Sequence, residues 1–594
     1  MLLIRQYRTL QYFGLLLIFT VLGCGKSKFN QEYYEENPLT LTGSNIRLFN
    51  LSQHDLGITV NNTVLAKQKT NVNDELQVSA IGRLLFPDGI WKNQASFTIP
   101  NALLDKAGGA WLSLLPVSAP FRFRDTLLVN DPVNPQDIFL LPGGKVASFS
   151  RNNTPPSKPQ NFKIRIVNIG NLNTEFNSGG PVSLTYSDGS RVDAKLNGIT
   201  NGQSSEYAEI PFGTYQFKLF AGGSNPDYKR QLVTENIIYA YNPCIPGALP
   251  QEGFMPPLKT FKPGGVYTVM VIPAIFNYEV SCNGGTSFPE VHYANAYQVI
   301  TDLDPGVNLS YARIHAVNTI PGRKIIMKDN GTTIGEEALS YVGDLFQTKA
   351  LPVNYLTVVQ GLHTIQALDE TGTKLAELQI DIYPFDNLTF WVRADVSGKT
   401  EIVFTSNDMT SSFYKTGIAP GEAPDDGTDG ERRRRRVNYA WQSRFMNFCN
   451  ELPAVNFSND GQLFLPMYLH PDTVRPLDAY TKLSPGKVPQ RSSSVIFSLP
   501  NIGALRENGQ PDPSSLGEAE YFPPAIWVND AEGGQIPGLL LTDILPIQSK
   551  VTYLSNDALY STTTRRPVAE NGVYTTALVG AGAGKKLVVI KHNK

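Results

Sequence analysis

Charge is scarce in this chain. Lys, Arg, Asp and Glu make up 18% of its 594 residues, against about 25% in ordinary soluble domains. The formal balance is only −2 and no basic face shows in the pattern, which argues against nucleic acid as a partner. Histidine is sparse too: His54, His292, His315, His363, His470 and His592 lie far apart, without the close spacing of a metal-binding pair. No Gly-x-Ser-x-Gly nucleophile elbow occurs. The stretch "GAGAGKK", Gly580 to Lys586, lacks the spacing and the hydroxyl of a phosphate-binding loop and reads as a turn in a terminal hairpin. "DDGTDGE", Asp425 to Glu431, lacks the full ligand series of a calcium loop. Beyond the first residues there is no long run of helical period. These absences leave no catalytic residue, metal or cofactor to assign from sequence.

What the chain does have is apolar material. Hydrophobic residues reach 41% and aromatics 10%, enough for packed cores and against wholesale disorder. The length exceeds what one core supports, so several domains are expected. The first residues, "MLLIRQYRTLQYFGLLLIFTVLGC", place Arg5 and Arg8 before an apolar stretch from Phe13 to Leu22, then Gly23 and Cys24. Such a stretch is too short for a comfortable membrane span of about 20 residues and reads as a targeting segment. Its end resembles the lipobox of bacterial lipoproteins, which implies cleavage before Cys24 and acylation of that residue. An ordinary secretory signal or an uncleaved anchor is the alternative. Residues 1–23 are then a lipoprotein signal peptide and 24–40 a lipid-anchored polar tether. Gly25, in a place where aspartate retains enterobacterial lipoproteins in the inner membrane, favours the outer membrane.

A short motif recurs through the rest. "NIRLFNLS" holds Arg47 and Asn50, "KIRIVNIG" Arg165 and Asn168, "RIHAVNTI" His315 and Asn318, and "QSRFMNFC" Arg444 and Asn447, with the base three places before the asparagine each time. The copies lie roughly 120 to 150 residues apart, which is domain spacing rather than solenoid spacing. A tight-turn pair follows each copy: Asn61-Asn62, Asp188-Gly189, Asn330-Gly331 and Asp460-Gly461, residues that tolerate positive φ. Strand-like stretches close the units: "PGGKVASFS" from Pro142, "PGGVYTVMVI" from Pro263, "DNLTFWVRA" from Asp386 and "NGVYTTALVG" from Asn571. The expected architecture is all-β: four tandem immunoglobulin-like β-sandwich domains after the lipoprotein signal peptide. The units span 41–155, 156–305, 306–416 and 439–594, with a flexible charged linker over 417–438.

In these motifs the chain resembles the bacterial domain-of-unknown-function family 4397, found in secreted and surface proteins. The likeness rests on "RIVN" and "HAVN", the turn after them, "GTYQFKLF", and "GVYTVMV" or "GVYTTALVG" near the close. It covers the second and third units best, the first and fourth loosely, and implies an extracytoplasmic β-domain of unestablished activity, with no catalytic residues carried over.

On a strand, residues three apart face opposite ways. Arg165 therefore shares a face with Val167, and Asn168 shares the other with Ile164 and Ile166. A base there lays its stem on apolar surface and reaches a carboxylate, a carbonyl or water, while the asparagine closes the strand by bonding local backbone. The eight motif residues read as structural, and the rival reading is a ligand-binding base in each unit.

With Cys24 acylated, three cysteines remain. Cys244 and Cys282 bracket a Pro/Gly-rich part of the second unit and are expected to form a disulfide in an oxidising compartment, while Cys449 reads as a buried core residue. The run Arg432, Arg433, Arg434, Arg435, Arg436 follows Glu422, Asp425, Asp426, Asp429 and Glu431. Local charge cancels, so a hinge is expected, the alternatives being a processing site or a polyanion site. The expected function is a non-enzymatic outer-membrane lipoprotein, held by lipid on Cys24, whose β-domains form an extended arm for binding or adhesion to a carbohydrate or protein. A structural envelope subunit and a carbohydrate-active enzyme are the alternatives.

Overall fold

The computed structural model describes residues 43–52, 54–66, 96–116, 121–152, 154–170, 180–222, 232, 237–239, 252–254, 258–281, 287–306, 310–407, 412–414, 434–436, 440–459, 462–463, 482–488, 495–498, 525–533, 537–559, 570 and 572–594. Cys24, Cys244, Cys282, Arg432, Arg433 and the pair Asp460-Gly461 lie outside them. Among the described residues no helix is long and apolar enough to cross a membrane.

Strands dominate, and one pairing scheme recurs. In each recurrence the motif-bearing strand opens a sandwich: Gly43–Asn50, Asn161–Asn168, Tyr311–Asn318 and Ala440–Asn447. It runs parallel to a return strand, respectively Gln136–Leu141, Val266–Ser281, Asn387–Ala394 and Gly572–Val579. A closing strand, Lys145–Ser150, Ser287–Leu303, Thr400–Ser406 or Lys586–Lys591, pairs antiparallel with the return strand. Strands from the middle of each unit build the facing sheet, as Thr63–Ala66, Leu56–Val60, Gly109–Pro116 and Thr126–Val129 do in the first. The all-β architecture is thus as expected, with its own strand order. In the immunoglobulin order the first two strands share a sheet; here Gly43–Asn50 and Leu56–Val60 lie in different sheets.

Local chemistry explains the hairpins. Asn61 and Asn62 both have positive φ, as do Asn330 and Gly331, the backbone that a two-residue turn between twisted strands demands. At Asp188-Gly189 the turn closes through Tyr186 and Ser190. Gly580 to Lys586 also forms a turn, with the short helix Gly582–Gly584 joining the last two strands. One expected correspondence fails: "PGGKVASFS" is the closing strand of the first sandwich, whereas the matching stretches of the other three are return strands. The shared Pro-Gly-Gly turn recurs before different strands, and the true counterpart is Gln136–Leu141.

The described residues fall into two compact units, one ending at Ser150 and one running from Arg151 to Lys594. In the first, Ile46, Leu48, Ile58, Leu112 and Ile138 form the core. The second contains three of the sandwiches. Phe162 stacks on Phe261 at 4.8 Å in the core of its first sandwich, with Tyr267 edge-on to Phe261 at 4.9 Å, pairs that each add about 0.5–1.5 kcal/mol beyond simple burial. The core of the last sandwich is continuous with Val317, Tyr341, Phe346 and Trp391 of the one before. Within the second unit the three sandwiches share apolar and polar contacts. Of the expected linker over 417–438 only residues 434–436 lie among the described residues. Arg434–Arg436 pairs antiparallel with Ser412–Tyr414, because a strand ladder is a backbone interaction that an arginine run can make as well as other residues.

Candidate functional site

The recurring base has a fixed partner that its own motif does not contain. In the parallel ladder Arg47 stands opposite Asp137, Arg165 opposite Thr268, His315 opposite Thr389 and Arg444 opposite Thr575. The position across from the base is thus an acid or a threonine in all four sandwiches, and it is buried each time. Arg47 grips Asp137 with two parallel bonds, Nε to Oδ1 at 2.8 Å and Nη2 to Oδ2 at 2.9 Å. Arg165 donates from Nε to Thr268 Oγ1 at 2.9 Å, and that hydroxyl donates to Asp302 at 2.5 Å. The Arg165 guanidinium also lies over the Tyr207 ring. Ile164 and Ile166 point into the core from the opposite face, as strand alternation requires.

The four asparagines share one geometry. Each Oδ1 accepts the backbone N–H two residues on: Ser52 for Asn50, Gly170 for Asn168, Ile320 for Asn318 and Cys449 for Asn447. Each Nδ2 donates to loop carbonyls: His54 for Asn50, Gly180 and Ile199 for Asn168, Arg323 and Leu339 for Asn318, Leu452 and Leu483 for Asn447. A single buried amide so satisfies backbone groups where the ladder stops and the chain turns toward the other sheet.

In the third and fourth sandwiches the base-bearing faces meet. His315 Nε2 lies 2.7 Å from Thr389 Oγ1 and 3.3 Å from His592 Nδ1, and His592 Nε2 lies 2.7 Å from Thr575 Oγ1. Arg444 donates to Asn407 Oδ1 at 2.9 Å and to the Ser406 carbonyl. Burial, helped by Arg313, lowers the pKa of His315 to about 3. Burial, His315 and Arg444 together hold that of His592 well below its ordinary value. Both rings are neutral at physiological pH. Nearby, Arg393 bonds Glu401 at 2.5 Å and Asn450 at 2.8 Å, against Gly486, where a Cβ would come within 1.8 Å of the guanidinium. Leu351–Pro352 adds a strand edge to Lys586–Lys591.

The second sandwich joins the third and fourth through three further basic residues. Arg313 lies over the rings of Phe212 and Tyr355 and donates to Asn387. Lys218, Glu570 and Lys591 form a fully buried triad: Lys218 Nζ is 3.5 Å and Lys591 Nζ 3.1 Å from the Glu570 carboxylate, which also accepts from Ser555. Burial lowers the pKa of Lys218, opposed by the attraction of Glu570.

Thr268, Thr389 and Thr575 were legible in retrospect, since each stands third or fourth in its return strand, at the end of "VYT", "NLT" and "VYT". Nothing in the sequence pointed to the triad, whose members come from three separate stretches. Cys449 is buried with a free thiol, its pKa pushed up by burial. Among the described residues, no three His, Cys, Asp or Glu side chains gather as metal ligands.

Fold and stations together define a class: an all-β protein of β-sandwiches whose buried polar residues tie strand to strand and sandwich to sandwich. No family model matches the chain, and no curated protein does. Among solved structures it is similar to the Bacillus anthracis TIE protein, at 8% identity over 59% of this chain and 50% of that one, with a TM-score of 0.10. It is also similar to a product complex of the multi-modular glycogen-degrading pneumococcal virulence factor SpuA, at 9% identity over 56% of this chain and 37% of that one, with a TM-score of 0.12. The chain spans half or less of the length of each. At such TM-scores neither likeness carries an argument.

Proposed function

We propose that this chain is a non-enzymatic cell-envelope lipoprotein with repeats resembling the domain-of-unknown-function family 4397, anchored in the outer membrane through lipid on Cys24, whose β-domains bind a carbohydrate or protein at the surface. The observation that carries the reading is where the buried chemistry is directed. Arg47, Arg165, Arg313, Arg393, Arg444 and the Lys218–Glu570–Lys591 triad all engage partners inside the fold. Such an arrangement suits a rigid display scaffold, whose recognition surface lies on its exposed faces. Radiolabelled palmitate tests the anchor: label should enter the chain and be lost in Cys24→Ala, and unchanged labelling of that variant defeats it. A glycan array tests the carbohydrate arm against a turnover assay on polysaccharides, which would detect hydrolysis instead.

A second reading, a structural envelope subunit, has one observation in its favour. Lys145–Ser150 is an edge strand with largely exposed residues, open to strand addition by another chain. Gentle crosslinking in intact envelopes distinguishes it, because a subunit should be recovered attached to a stoichiometric partner.

A further inference from the structure

The first sandwich carries an apolar face that is exposed among the described residues. In its second sheet, Trp111 and Leu127 are cross-strand partners, Gly109 faces Val129, and Thr59 lies between Val64 and Ser113. Alternation puts Ala110, Leu112 and Leu114 into the core and turns Trp111, Ser113 and Leu115 outward. Val64, Trp111, Leu115, Leu127 and Val129 are each between 49% and 63% exposed. Not one charged residue occurs in the four strands of this sheet. An uncharged face of this kind, apolar apart from the hydroxyls of Thr59 and Ser113, marks an interaction surface.

Its position in the sandwich narrows the partner. Asn45, at the start of the opening strand, donates its N–H to Asn130 Oδ1 at 2.7 Å, and the Asn130 N–H bonds the Gly108 carbonyl at 2.9 Å. The chain therefore enters the sandwich one residue beyond Val129 and beside the turn that leads into Trp111. The first described strand begins at Gly43, so a preceding anchor joins the sandwich on the side of the Trp111–Val129 corner.

We propose that this face rests on the bilayer, with Trp111 at the level of the lipid headgroups and Leu115, Leu127 and Val129 against the acyl boundary. The inference rests on the proposed acylation of Cys24. Residues 25–42, at no more than about 3.6 Å each, then keep the sandwich within about 65 Å of the membrane. At that range a face too weak to bind lipid from solution is held at high effective concentration. Tryptophan favours the interface because its ring is apolar while its N–H stays hydrated, and the absence of charge in the sheet removes the main cost of approach.

The acylated full chain, purified from envelopes and reconstituted into phosphatidylethanolamine/phosphatidylglycerol vesicles, provides the test. Palmitate label reports the anchor. Emission attributable to Trp111, taken as the difference between the chain and Trp111→Phe, reports the face. Phospholipids brominated high on the acyl chains should quench that difference, because the ring sits at the level of the headgroups. A Leu115→Ser/Leu127→Ser variant should lose the quenching while keeping label and circular dichroism. A labelled chain whose Trp111 is not quenched overturns the inference and leaves the anchor standing. An unlabelled chain removes the anchor and the inference together. Concentration-dependent dimerisation abolished by Trp111→Ser, without quenching, assigns the face to a second copy of the chain and also overturns it.

Discussion

Arg47 and Asp137 face each other across a parallel ladder, joined by two bonds at 2.8 and 2.9 Å, with the aspartate fully buried. In the other sandwiches the same ladder position pairs Arg165 with Thr268, His315 with Thr389 and Arg444 with Thr575. The opening and return strands are distant in sequence, and a parallel pair has no tight turn to set its register. In the first three sandwiches the rung is also a hydrogen bond, so a slip of one residue would leave a buried carboxylate, hydroxyl or base without that partner; in the fourth, Thr575 bonds His592 and Arg444 bonds Asn407 instead.

Removing only one member of the first pair should therefore be costly. Arg47→Ala leaves Asp137 buried without its cation and is expected to destabilise the first compact unit by about 3–5 kcal/mol. Arg47→Met with Asp137→Leu should recover most of that loss, since matched apolar groups leave no buried charge. Denaturant melts of the two variants decide it. A double variant as unstable as the single one would show that the pair acts through something other than charge burial.

The asparagine at the end of each opening strand should matter on the same scale in all four sandwiches. Asn168→Ala removes one acceptor and two donors, leaving buried backbone groups unsatisfied at about 1–3 kcal/mol each. Asn168→Asp should not rescue, because a carboxylate cannot donate to Gly180 and Ile199. Thermal unfolding of both variants, compared with a substitution at exposed Asp188, measures the effect. Equal melting of Asn168→Ala and the native chain would contradict it.

Acid should loosen the junction between the third and fourth sandwiches. His315 and His592 are held neutral in the fold, His315 down to about pH 3, whereas an unfolded histidine takes up its proton near pH 6.5. The stability they contribute is fully present above about pH 6.5 and declines as pH falls, for His315 at about 1.4 kcal/mol per pH unit down toward pH 3, with His592 acting in the same direction. Thr389, Thr575, Asn407 and Tyr355 offer no carboxylate to the rings, and Arg313 and Arg444 oppose a further positive charge. His315→Gln/His592→Gln should flatten the acid limb of a stability-against-pH curve relative to the native chain. Parallel acid limbs would rule the pair out as its source.

Trypsin should cut first within Arg432 to Arg436, where a two-stranded pairing of three residues a side offers little protection. The two fragments should nevertheless stay together in native gel filtration, because Trp391 packs on Phe448, Arg393 bonds Asn450 and Lys218 meets Glu570 across the sandwiches. Fragments that separate without denaturant would show that these contacts do not bind the sandwiches to one another. Glu570→Ala, which strands two buried lysines, is the variant expected to release them.

The repeat was legible because its signals are local. A base and an asparagine three apart, turn residues that accept positive φ and a β-branched closing stretch are all set by the backbone within a few residues, so alternation alone assigned Ile164 and Ile166 to the core and Arg165 to the other face. Register is different in kind. Asp137 opposes Arg47 only once the sheet has formed, and the misplaced match of "PGGKVASFS" shows how a shared turn can conceal which strand follows it. The fusion of three sandwiches could not be read at all. Lys218, Glu570 and Lys591 are hundreds of residues apart in part, and each taken alone looks like a solvated surface charge. Periodicity along the chain records which face of a strand is apolar, but two polar faces become an interface only when packing removes their water and gives each base a partner. The sequence by itself determined the strands, their turns and their inward faces; tertiary structure alone decided which outward faces were to meet.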